Sequence, residues 1–193
     1  MRIIGGRLKR RLIDFPKTRD TRPLTDRSKE TIFNILATLP ESAHILDLYA
    51  GSGSFGLEAL SRGAQFVDFV DHAPICKGCI SDNLKKLELA QMARIHTLEV
   101  EIALKQFEKS NKKFDLIFVD PPHNKGLIKK TLNEIDRSDI LPIEGHVIVG
   151  HSNKEDVPED LVTLIPYKKV KIGQSFVSFF IKCDVKNGSE KGK

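Results

Sequence analysis

A chain of 193 residues, 40 % hydrophobic and 30 % charged, is long enough for one domain with a full core and has no apolar run that could cross a bilayer. Its three cysteines do not suggest a disulfide framework. The N-terminus lacks an apolar leader stretch, so a cytoplasmic protein is expected. The net charge of +5 is unevenly placed: residues 1–30 hold ten Lys/Arg against four Asp/Glu, and the rest 21 against 22. A basic arm carrying Arg2, Arg7, Lys9, Arg10, Arg11, Arg22 and Arg27 suits contact with a phosphate backbone. A solvated, charged terminus has the same composition.

Residues 1–27 read as a short strand or hairpin and an ordered loop, with turn signals at Gly5-Gly6 and Thr21-Arg22-Pro23. Residues 28–39 read as a helix, with Ile32, Phe33, Ile35, Leu36 and Leu39 on one face and Pro40 to end it. From Ala43 strands and helices alternate. Strands are expected at 45–49, 66–70, 94–98, 114–119 and 146–149, and helices at 54–62, 74–89, 102–109 and 125–137. Two extended runs, 161–172 and 174–182, form a closing hairpin at Gly173. This order implies an α/β fold: a mostly parallel sheet with helices on both faces and an added antiparallel strand. Residues 1–183 read as a single domain, with 1–27 as its basic extension. Residues 184–193 read as a disordered tail.

Gly51-Ser52-Gly53-Ser54-Phe55-Gly56 matches G-x-G-x-x-G between a strand and a helix, and Asp71 follows Gly51 by twenty residues. Taken alone, this is the fingerprint of a dinucleotide site. Asp47, four residues before Gly51, separates the options. A carboxylate there would repel a pyrophosphate, but it suits S-adenosylmethionine, which has a sulfonium and an ammonium group and no phosphate. The glycines let the backbone approach such a ligand closely. Asp71 can accept ribose hydroxyls, or it can cap the following helix.

Asp120-Pro121-Pro122-His123 follows the fourth strand. Two prolines cannot continue a strand, and they leave carbonyls without local amide donors. The resulting rigid loop suits methyl transfer to an exocyclic amine, whose lone pair is delocalised into its ring. The Asp120 carboxylate and the Pro121 carbonyl can accept its two N–H bonds, and a planar side chain at 123 can stack on the base. Orientation and electrostatics would supply the gain, with no metal. A target inside a duplex would have to be flipped out.

These residues resemble class I methyltransferases, in which N/D-P-P-Y/F marks enzymes acting on amino groups. Met1-Arg2-Ile3-Ile4-Gly5-Gly6, then Thr21-Arg22-Pro23-Leu24-Thr25-Asp26-Arg27, Leu46-Asp47-Leu48-Tyr49-Ala50-Gly51-Ser52-Gly53, and Gly56-Leu57-Glu58-Ala59-Leu60-Ser61-Arg62-Gly63-Ala64 are similar to the ribosomal RNA small subunit methyltransferase D family. The resemblance implies a Rossmann-like, seven-stranded sheet with an antiparallel last strand. It also implies S-adenosylmethionine as cofactor, and methylation of N2 of a guanine in 16S RNA, with the RNA or the 30S subunit as partner to a monomer. The candidate catalytic residues are Asp120, Pro121, Pro122 and His123. The candidate cofactor residues are Asp47, Tyr49, Gly51, Ser52, Gly53, Gly56, Asp71, His72 and Glu101, the last assigned to the adenine by the resemblance alone. His123 stands where the family has Tyr or Phe. Gly150 stands where strand five of the family commonly ends in Glu.

Cys76-Lys77-Gly78-Cys79 has C-x-x-C spacing but no second ligand pair for zinc, so it reads as two buried thiols. His44, His96, His146 and His151 read as surface or loop residues. Lys85-Lys86, Lys112-Lys113 and Lys168-Lys169 read as solvated faces that could extend an RNA footprint. The alternatives are a DNA adenine-N6 methyltransferase, a non-catalytic RNA-binding or assembly factor, and a nicotinamide enzyme; Asp47 and the tetrapeptide disfavour the last.

Overall fold

The computed structural model describes residues 1–16, 24–36, 42–122, 125–158 and 160–184. Its helices are α1 (Asp26–Leu36), α2 (Ser54–Ser61), α3 (Pro74–Lys86), α4 (Val100–Lys109) and α5 (Leu127–Arg137). Its strands are β1 (His44–Leu48), β2 (Phe66–Val70), β3 (Ala93–His96), β4 (Leu116–Val119), β5 (His146–Ser152), β6 (Leu164–Ile172) and β7 (Ser175–Lys182). The expected helix residues 37–39 and the tail beyond Asp184 lie outside the described residues.

β4 is buried along its whole length, and β1 and β2 after their first residue. Strands apolar on both faces belong inside a parallel sheet, and the strand order is β3-β2-β1-β4-β5-β7-β6. β1 to β5 pair in parallel, whereas β7 runs against both β5 and β6. One face packs Ile45, Phe69, Phe118 and Phe179 with α1, α2 and α3. The other packs Leu48, Val70, Val119 and Val149 with α4 and α5. The chain leaves β1 for β2 on one side and returns to β4 on the other. The strand order therefore reverses between β1 and β4, and ligands bind at the carboxyl ends of strands flanking such a reversal.

Two boundaries differ from expectation for long-range reasons. β5 continues past Val149 to Ser152, because β7 goes on pairing with Gly150, His151 and Ser152. β6 starts at Leu164, because the Asp136 carboxylate takes the amides of Val162, Thr163 and Leu164 (2.7–2.9 Å). Burial acts to raise the pKa of Asp136, but these bonds hold it below the usual carboxylate range.

Residues 1–13 form the expected hairpin. The Ile3 amide donates to the Arg11 carbonyl (2.9 Å) and the Ile13 amide to the Met1 carbonyl (3.0 Å). The hairpin packs against α2, every residue of which is buried. Glu58, fully buried in α2, accepts the amides of Ile4 (2.9 Å) and Gly5 (2.8 Å) and Nε of Arg62 (2.8 Å). The buried ammonium of Lys29 lies 3.8 Å from it and donates to the Arg2 carbonyl. Gly6 has φ +70, and a Cβ there would lie 1.8 Å from the Ser61 carbonyl oxygen. The opening motif is thus a clamp on α2.

The histidines and one lysine depart from the surface reading. His151 is 2 % exposed in β5. His44, His96 and His146 are also strand residues, and His96 Nε2 pairs with buried Asp68 (2.6 Å). Lys112 pairs with the same carboxylate, and its ammonium lies 5.5–5.6 Å from the ring centres of Phe66, Phe107 and Phe114. Removing a partner from a buried ion pair leaves an uncompensated charge. Glu58→Gln is therefore expected to lower stability to urea by about 3 kcal/mol; a loss below about 1 kcal/mol would contradict the clamp.

Candidate active site

The loop after β1 turns through left-handed backbone at Tyr49 (φ 57), Gly51 (φ 56) and Gly53 (φ 74). The glycines serve different ends. A Cβ on Gly51 would meet only the Tyr49 carbonyl oxygen, at 4.0 Å, so the space beside it is open. A Cβ on Gly56 would lie 2.3 Å from the Phe69 ring, so this third glycine seats α2 on the sheet.

Three carboxylates converge here. Asp47, 1 % exposed, accepts the Gly56 amide at 3.0 Å, one of the unpaired donors in the first turn of α2. Burial pushes its pKa well up, and the charges of Asp120 and Asp71 add to the shift against the Gly56 bond. Asp71, at the end of β2, accepts the Gly51 amide (2.9 Å) and the Ala73 amide (2.9 Å). It therefore ties the glycine loop to the start of α3. Asp120 follows β4, and its Oδ1 lies 2.5 Å from where a Cβ on Gly150 would stand. Pro121 is buried and Pro122 half-buried. His123 lies outside the described residues.

The other expected cofactor residues are placed as follows. Ser52 is buried, and its carbonyl accepts Nδ2 of Asn83 (3.2 Å). His72 is exposed beside Asp71. The Tyr49 hydroxyl points away from the loop to Thr131 of α5 (2.8 Å). Glu101 lies within α4 and pairs with Lys105 (3.2 Å) and Lys130. Glu99, exposed and just before α4, is the acid in the β3–α4 loop.

Sequence reasoning missed Asn83. Fully buried in α3, it also bonds the Asp14 amide (2.7 Å) and carbonyl (3.0 Å), so one side chain joins the N-terminal segment to the glycine loop. Its signal was a polar residue on the helical stripe of Cys76, Ile80 and Leu84. Cys76 is buried, and burial followed by the charge of Asp71 raises its thiol to about 12, which disfavours a thiolate.

Two buried hydroxyls at this edge, Ser54 Oγ and Thr97 Oγ1, have no hydrogen-bond partner among the described residues. With the open space at Gly51 and the three carboxylates, they fit a polar, cationic ligand along the ends of β1, β2 and β3.

The family described as "Conserved hypothetical protein 95" matches residues 1–181. "Putative rRNA methyltransferase YlbH" of Bacillus subtilis is 35 % identical over 94 % of this chain and 99 % of its own length. "Ribosomal RNA small subunit methyltransferase D" of Escherichia coli K12 is 34 % identical over 82 % of this chain and 78 % of its own. The chain belongs to the ribosomal RNA small subunit methyltransferase D family. A solved structure, "Putative methyltransferase yhhF from Escherichia coli", superposes with TM-score 0.82 at 31 % identity, covering 95 % of this chain and 98 % of that one. The fold extends to SMU.776, "a putative methyltransferase complexed with SAH" (TM-score 0.62, 16 % identity, 79 % of this chain and 49 % of that one).

The cations of the basic N-terminal segment are placed differently from one another. Arg2 pairs with Asp26 (2.9 Å), and Arg27 is exposed on α1. Arg22 lies outside the described residues. The Arg7 amide bonds the Ser61 carbonyl at the end of α2, and the Arg11 guanidinium bonds the Lys86 carbonyl at the end of α3. Lys9 and Arg10 are exposed between them. Helices following parallel strands run back, so the ends of α2 and α3 that Arg7 and Arg11 bond lie at the opposite edge of the sheet from Asp120.

Gly150 leaves room for the Asp120 carboxylate. Gly150→Ala is expected to keep the fold, because the Asp120 side chain can rotate away, and to slow methyl transfer at least about tenfold by misplacing it. An unchanged kcat in the folded variant would contradict this.

Proposed function

We propose that the protein transfers the methyl group of S-adenosylmethionine to the exocyclic N2 amino group of a guanine in 16S ribosomal RNA. The observation that carries this reading is the placement of Asp120. It stands at the carboxyl end of β4, across the strand-order reversal from the glycine loop, in a pocket left by Gly150. The relatives named for ribosomal RNA methylation support the substrate class.

When bound, the cofactor supplies a methyl carbon activated by a sulfonium. The protein's part is to bind, orient and exclude water. Asp71 still has lone pairs beyond its two backbone amides for ribose hydroxyls, and the open space at Gly51 admits the amino-acid portion. Asp47, buried below the loop, holds the Gly56 amide and so keeps the loop in shape. Glu99, exposed in the loop after β3, would hold the adenine in place of Glu101, whose carboxylate is held by two lysines. Asp120 and the Pro121 carbonyl accept the N–H bonds of the target amine and direct its lone pair out of the ring. This fixes the nucleophile before reaction, where orientation contributes most.

Purified protein, labelled S-adenosylmethionine and 30S subunits lacking their base methylations test the reading. Label is expected in RNA. Asp120→Ala is expected to abolish transfer, by about 100-fold or more, while cofactor affinity is kept. Transfer surviving in Asp120→Ala would remove its assigned role.

A further inference from the structure

Residues 161–183 contain four lysines and no Asp or Glu. Lys182 is buried, its ammonium bonded to the Ser138 carbonyl (2.6 Å). Lys168, Lys169 and Lys171 are exposed on β6, and none pairs with a carboxylate among the described residues. Other cations differ in this respect: Arg2 and Lys29 near the N-terminus and Arg62 after α2 are engaged by acids, and Lys86 in α3 pairs with Asp14 (3.1 Å).

β6 runs in the same direction as β1 to β5. Its carboxyl end therefore lies at the edge of the sheet that holds the glycine loop and Asp120. Alternation puts Lys169 and Lys171 on one face. In register, Lys171 stands opposite Phe176, and Phe176 opposite His151. The Lys169 ammonium lies 5.2 Å from the centre of the Phe176 ring, within cation–π range. That ring stacks on His151 at 5.8 Å. His151 is fixed by Ser178 (2.9 Å) and follows Gly150, against which Asp120 sits. A continuous row thus runs from the basic edge strand to the strand adjoining Asp120.

Lysines on an edge strand also block pairing with other sheets. Charge of either sign does that, so it does not require the exclusion of acids from the whole hairpin.

We propose that Lys169 and Lys171, beside the Phe176 ring, contact the phosphodiester backbone of the RNA strand that carries the target base. This rests on the substrate reading above. The surface next to the chemistry is then the β6–β7 hairpin, and Lys9 and Arg10 reach a more distant part of a large RNA.

The test is Lys169→Glu/Lys171→Glu, which keeps charge on the edge strand, with Lys169→Gln/Lys171→Gln as the second variant should the first melt early. RNA binding is measured against salt, and binding of S-adenosylhomocysteine and the melting temperature are followed in parallel. The slope of log K against log salt is expected to fall by about 1.5, since each lost phosphate contact removes about 0.7–0.9. The kcat/KM for RNA is expected to fall at least tenfold, with ligand binding and melting unchanged. An unchanged slope in a folded variant overturns the inference and leaves the substrate reading standing. Wild-type protein that binds no RNA overturns both.

Discussion

The hydrogen bond from the Gly56 amide to the Asp47 carboxylate ties the end of β1 to the first turn of α2, and the carboxyl edge is arranged around that junction. It fixes both ends of the glycine loop, so the left-handed turns at Tyr49, Gly51 and Gly53 are held rather than merely allowed. Asp71 then closes the loop from β2 through the Gly51 amide, and Asn83 braces it from α3 through the Ser52 carbonyl. A helix N-terminus satisfied by a carboxylate would ordinarily be a structural matter. Here the carboxyl is buried, and burial and the charges of Asp120 and Asp71 act against its ionised form, so its part is to build the loop, and Asp71 and Asp120 are the acids that suit a cationic ligand.

The N-terminal segment adds a second constraint. Its glycines and amides grip Glu58, Ser61 and Arg62, which seats the hairpin on α2 and makes an eight-residue helix buried on all sides possible. Its net charge suits a phosphate backbone and equally a solvated terminus. The structure shows cations such as Arg2 and Lys29 engaged within the fold, and the exposed Lys9 and Arg10 on the edge away from Asp120. Charge counted along the chain differs from charge available at a site.

Much of the fold was legible because its signals are local. Each alternating apolar run became a strand or helix, and G-x-G-x-x-G and Asp-Pro-Pro fell at strand ends as their backbone chemistry requires. What could not be read depended on distant partners. The extension of β5 through Gly150 and His151 needs β7, and the late start of β6 needs Asp136. Gly150 looked like a lost acid and is the space that the Asp120 carboxylate requires. Glu101 lies in α4 beside Lys105 and Lys130, and Glu99 stands exposed before it, a difference set by where α4 starts. Lys112 looked solvated in a Lys-rich run, but three rings and Asp68 enclose its ammonium.

The central claim, that Asp120 presents a guanine amino group to the cofactor, is tested most directly by nucleoside analysis of 16S RNA from cells lacking this protein. The account predicts the loss of one N2-methylguanosine, restored by the wild-type gene and not by one carrying Asp120→Ala. An unchanged N2-methylguanosine content, or loss of a different methylated nucleoside, would contradict it.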